Sequence, residues 1–224
     1  MKKFRGIVLG LAVAALGSLA FAEHEMALNY TLGGYFEKMR DGDFKDQTLN
    51  YKFSPFGLAA TNQWIKANEE KAVNVGFDLK VGMWLSIGQK WKANGVTTND
   101  KNWVNIGEYV AIGPVFRCRI NEKNAFYITP GIQLNFEQDF YIGSGVTNCK
   151  AIGVEFAPSL DLAYRHWFTD RVGLNLGFDM DIPLIGYYGK SYNYWNGKYT
   201  DTVTQGSTTG VGFEYHFLVG IVLR

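Results

Sequence analysis

The 224-residue sequence is short of the residues that build metal centres and nucleophilic active sites, with 2 cysteines and 3 histidines in all. That number and scatter fall below the clustered ligand spacing of a zinc site. No HExxH or H-x-S arrangement occurs, and no Ser or Cys nucleophile sits beside a histidine. No catalytic residue, metal ligand or cofactor is therefore expected. An excess of one charge is missing as well. The formal charge is +1, and subtracting the three bases of the N-terminal segment (+1 − 3) leaves about −2, too mild for a nucleic-acid partner. Long apolar runs are absent beyond residue 22, although 47% of the chain is hydrophobic. Spanning helices are thereby excluded, and the hydrophobicity must be stored in alternation.

The N-terminal segment accounts for the one apolar run. Lys2, Lys3 and Arg5 form a basic start, Ile7 to Leu19 is apolar, and Ala20-Phe21-Ala22 is a small-x-small cleavage site. Residues 1–22 read as a secretory signal peptide, with no cysteine at the cleavage point to carry a lipid. Residues 23–224 read as one domain.

What is present is period two. From 73 to 87 the apolar set Val73, Val75, Phe77, Leu79, Val81, Met83, Leu85 and Ile87 alternates with Asn74, Gly76, Asp78, Lys80, Gly82, Trp84 and Ser86. Strands of soluble domains usually run about 5–6 residues, and this one is far longer. Alternation puts one set on each face of a strand. A wall with lipid outside and a polar interior satisfies both sets. The same pattern predicts strands near 26–36, 56–66, 104–120, 126–136, 152–164, 172–182 and 213–223. Short turns at 68–71, 121–124 and 169–171 alternate with long polar loops at 37–50, 89–103, 138–150 and 184–208. The expected fold is all-β: an eight-stranded antiparallel up-and-down transmembrane β-barrel in a bacterial outer membrane. Its termini and short turns are periplasmic and its long loops external. A secreted sandwich or lipocalin-like barrel, with the apolar face turned inward, is the alternative.

In that register Asp78, Lys80, Arg117, Arg119, Glu137, Glu155, Asp161, Arg165, Asp179, Asp181, Glu214 and His216 point into the lumen. Eight strands leave an interior just wide enough for side chains, so these mixed charges are expected to pair and plug it. Trp64, Tyr164, Trp167 and Phe168 are expected in a girdle at the short-turn interface. Pro114, Pro130 and Pro158 fall on the lipid face of three successive strands. Each removes a ladder donor and marks a bulge or a lateral opening. In the fourth loop Tyr192, Tyr194, Trp195 and Tyr199 flank an Asn196-Gly197 pair that reads as a type I′ hairpin, a surface hairpin with the aromatic residues to meet a partner. Cys118 near a turn and Cys149 in a loop lie too far apart to bridge.

The pattern, the Gly-Pro-Val-Phe-Arg run at 113–117, the Tyr-Arg-His-Trp-Phe-Thr-Asp run at 164–170 and the alternating last strand resemble the small eight-stranded outer-membrane barrels of the OmpA transmembrane domain, OmpX and OmpW type. The ending Val222-Leu223-Arg224 departs from the aromatic terminal residue usual in such proteins. The resemblance implies outer-membrane lipids and the outer-membrane assembly machinery as partners. It implies a structural or surface-interaction role, with passage of small hydrophobic molecules through the barrel or its wall as the alternative. A lipid-modifying barrel enzyme would carry its histidine near the outer rim, whereas His24 and His166 fall at the periplasmic side.

Overall fold

The structure, a computed structural model, describes residues 23–39, 48–52, 57–68, 70–93, 96–141, 147–194, 200–208 and 210–224. The signal segment 1–22 lies outside them. Eleven strands run in chain order: β1 (Glu23–Met39), β2 (Thr48–Lys52), β3 (Gly57–Ile65), β4 (Val73–Ala93), β5 (Val96–Asn121), β6 (Asn124–Tyr141), β7 (Thr147–Trp167), β8 (Val172–Asp181), β9 (Ile185–Tyr194), β10 (Thr200–Thr208) and β11 (Gly210–Leu223). They make eight staves, because β2 with β3, β8 with β9 and β10 with β11 are successive lengths of one stave each. All pairings are antiparallel. The wall runs β1, β3, β4, β5, β6, β7, β8, β11 and closes where β11 meets β1, from Met26↔Leu223 to Met39↔Gly210.

Alternation decides which face is which. On β6, Phe126, Ile128, Ile132, Leu134 and Phe136 are each at least 40% exposed, while Tyr127, Thr129, Gln133, Asn135 and Glu137 are 5% or less. A water-soluble barrel would show the reverse. The polar-in, apolar-out arrangement belongs to a wall whose outer solvent is hydrocarbon, and the soluble alternative is set aside on this observation.

Each short turn is tied by a side chain that the sequence supplies for the purpose. Asn68 Oδ1 accepts from Glu70 N at 3.0 Å, Asn121 Oδ1 from Lys123 N at 3.0 Å, and Thr169 Oγ1 from Val172 N at 3.0 Å. These local bonds mimic a backbone turn and stop the strand.

The long connections differ from expectation. Of the stretch 89–103, the described residues are a paired continuation of β4 and β5, with Gln89↔Asp100 through Ala93↔Val96. It follows an irregularity after Ile87, where Gly88 adopts φ 87°, a conformation open to glycine. Phe140↔Lys150 and Thr147↔Tyr194 likewise carry β6, β7 and β9 upward. Along these lengths polar residues occupy both alternating positions, so the sequence carries no hydrophobic period there. In the fourth connection, Asn193↔Thr200 and Lys190↔Val203 are paired in a register centred on Asn196 and Gly197. Trp195 and Tyr199, with the turn itself, lie outside the described residues, and of Tyr192 and Tyr194 only the strand placement is described.

Candidate functional site: the filled lumen and its seam

The lumen is organised as three polar knots separated by apolar packing. At the short-turn end Glu25, fully buried, is the hub. Its Oε2 accepts from Arg165 Nη1 and, at 2.8 Å, from Tyr127 OH. Its Oε1 accepts from Arg224 Nε at 3.0 Å and Arg117 Nη1 at 3.1 Å. Glu23 bonds the same two outer guanidiniums at 2.8 and 3.0 Å. Arg165 continues through Asn175 to Asn29, at 2.9 and 2.8 Å. Its guanidinium lies 4.1 Å from the centre of the Tyr127 ring, as Arg224 lies 3.9 Å from that of Trp167. Both are cation–π geometry.

In the middle, Lys80 Nζ sits between Asp161 and Asp179, the latter at 2.8 Å, and Asp78 accepts from Gln63 at 2.7 Å. Toward the long-connection end, Asp181 accepts from Gln133 at 3.1 Å and Asn135 at 3.0 Å, while His216 Nε2 meets Glu214 at 2.7 Å. Glu137 and Glu155 are buried at the same end. Trp84 and Tyr109 fill the space between, with Ala59 and Leu218. A Cβ on Gly107 or Gly82 would fall within the Trp84 or Tyr109 ring, so these glycines are recesses cut for the aromatics.

Eleven of the twelve lumen residues expected from sequence are thus buried inside. Arg119 is not. It keeps the inward register, opposite the buried Ala125, but on the last rung before the β5–β6 irregularity, and stands exposed at the rim. Trp167 is corrected in the other direction: it is buried in the lumen, not in a girdle, as the period that places Arg165 inside requires. Glu25 and Gln63 are the partners that sequence reading missed, while Tyr127 follows from the inward alternation of β6. Glu25 shares the inward set Ala27, Asn29 and Thr31, so starting β1 three residues earlier would have found it.

Among the described residues, the β5–β6 ladder is interrupted within an unchanged register. β5 and β6 pair at Ile112↔Ile132 and again at Phe116↔Ile128 in unchanged register, with no bridge between. Pro114 thereby stands opposite Pro130, both exposed on the outer face. The backbones stay close, since a Cβ on Gly131 would come 2.6 Å from the Ile112 carbonyl oxygen. Pro158 is not in the break: it pairs with Ile132, and its carbonyl accepts from Ile182 N at 3.0 Å.

No family model and no curated protein sequence matches the chain. Solved structures do. The outer-membrane protease OmpT from Escherichia coli aligns with a TM-score of 0.53 at 10% identity, over 89% of this chain and 95% of that one. The fold is that of an outer-membrane β-barrel. The outer-membrane protein OprG from Pseudomonas aeruginosa gives 0.52 at 10% identity, over 91% of this chain and 97% of that one. At such identity the likeness is one of fold, and it singles out no OmpA, OmpX or OmpW subtype. The barrel is integral to the outer membrane, and its short-turn end, where β1 starts and β11 finishes, is periplasmic.

Proposed function

We propose that this outer-membrane barrel admits small hydrophobic molecules laterally, through the seam between β5 and β6, while its filled lumen excludes ions. The observation that carries this reading is the break in the ladder at Pro114 and Pro130. Elsewhere, parting two staves in hydrocarbon exposes paired N–H and C=O groups at several kcal/mol each. Here the two prolines have no N–H to lose. Behind the seam the lumen-facing residues are Gly113 and Gly131, small and half-buried, and Val115 and Thr129, which are buried. The wall is therefore weakly bonded at this place, with two glycines directly behind the prolines.

The test is the Pro114→Val/Pro130→Val double variant, which restores both donors. Loss of uptake of a hydrophobic fluorescent probe by cells carrying the variant, with a more stable barrel, is the expected outcome. Uptake equal to that of the unmodified protein would remove the reading's support.

A second reading, a structural or surface-interaction role, rests on the filled lumen and on the paired staves that continue beyond the apolar band. It predicts that the proline variant changes stability alone.

A further inference from the structure

Independently of the seam, the periplasmic mouth of the lumen holds more cationic donors than it satisfies. Arg117, Arg165 and Arg224 share two carboxylates, Glu23 and Glu25. Arg119 stands beside them at the rim, with no ion pair among the described residues. A cavity of about 350 Å³ opens at this point, walled by Arg117, Arg119, Arg224 and Trp167. Two buried donors on that wall have no acceptor: Nε of Arg117 and Nε1 of Trp167, in side chains whose residues are 7% and 3% exposed. Buried N–H groups are nearly always paired, and an orphan marks a missing partner.

We propose that the cavity binds a small oxyanion, a carboxylate or phosphate, from the periplasm. Guanidinium groups match the planar spacing of such oxygens, and the indole N–H supplies a further donor at the cavity wall. Glu23 faces the same cavity but is held by Arg117 and Arg224. Glu122 and Asp170 also line it. Both are exposed on turns and each is followed by a cation, Lys123 or Arg171, so their repulsion is screened by water and by those neighbours. Arg117, Ala125 and Trp167 point into the barrel, away from lipid, which makes the source soluble and not a headgroup.

The experiment follows the Trp167 indole N–H by ¹⁵N NMR of the purified protein in phosphatidylcholine nanodiscs, titrated with inorganic phosphate and, separately, acetate at constant ionic strength set with sodium chloride. Trp167→Phe, which deletes the donor and keeps a ring, assigns the resonance. A saturable shift, weakened about tenfold or more by Arg119→Gln, is the expected result. A resonance that does not move beyond the chloride control overturns the proposal, as does Arg119→Gln binding like the unmodified protein. A shift produced equally by adding phosphatidylglycerol without phosphate or acetate overturns the soluble source. Should Trp167→Phe fail to fold, calorimetric titration of phosphate into the unmodified protein and Arg119→Gln decides the matter, since Arg119 is exposed and its replacement leaves folding intact. Heat lost in the variant supports the site, and no heat in the unmodified protein overturns it.

Discussion

Replacing Glu25 by Gln would leave Arg117, Arg165 and Arg224 with one charged acceptor, Glu23, and would strand Arg165, whose carboxylate partner is Glu25. Breaking a buried ion pair from one side costs about 3–5 kcal/mol, so Glu25→Gln is expected to lose that much in urea unfolding from detergent micelles. Arg119→Ala, exposed at the rim, should stay within about 0.5 kcal/mol. Equal losses at the two positions would contradict the description of the periplasmic knot. At Gly107 the expected effect is overpacking: Gly107→Ala drives a methyl into the Trp84 ring and should cost about 1–3 kcal/mol in the same measurement. Neither Glu25 nor Gly107 stands out in sequence. A glycine among barrel strands has many uses, and only the position of Trp84 across the ladder, at Trp84↔Gly107, gives this one its task.

At the scale of elements, the two cysteines test the register. Cys118 pairs with Phe126, which pairs with Tyr164, and Cys149 lies fifteen residues further along β7 (164 − 149). At about 3.3 Å per residue that is roughly 50 Å of strand, against a limit of about 7 Å between bridged Cα atoms. Cys118 is free. Mass spectrometry of the unreduced, alkylated monomer should show no intramolecular bridge and two modified thiols. The membrane-embedded elements were legible because one solvent, hydrocarbon, touches one face, as Val73 to Ile87 records. The paired lengths above them were not. Gln89, Lys90, Lys92, Thr97, Thr98 and Asn99 put polar residues at both alternating positions, and nothing in their order separates a two-stranded ribbon from a loop. Arg119 differs for another reason: it keeps the inward register opposite Ala125 but stands on the last rung, where the lumen opens to water, and alternation marks a face without marking where the barrel ends.

For the whole molecule, a lumen filled from Arg224 to Ser86 predicts a barrel that does not conduct. Planar-bilayer recording on refolded protein should show no persistent ion channel, and long-lived openings would contradict the packing of Lys80, Asp161 and Asp179. The same closed wall predicts a heat-modifiable band on electrophoresis, because eight staves paired into a closed barrel resist detergent until boiled. That the lumen is plugged was readable from mixed charge in a narrow interior. Which acid meets which base was not, because the shear of the barrel decides which inward residues share a height.

The closure of the barrel between β1 and β11 also sets an order of events in time. Fourteen residue pairs join the first stave to the last, Met26↔Leu223 to Met39↔Gly210, contacts that span nearly the whole sequence. Contacts at such separation are slow to form because the intervening chain must be ordered before they contribute. Until they do, β1 and β11 are bare edges, and a bare edge in hydrocarbon is untenable. The barrel therefore cannot be completed in the order of its chain: its last strand must arrive before its first can be sealed.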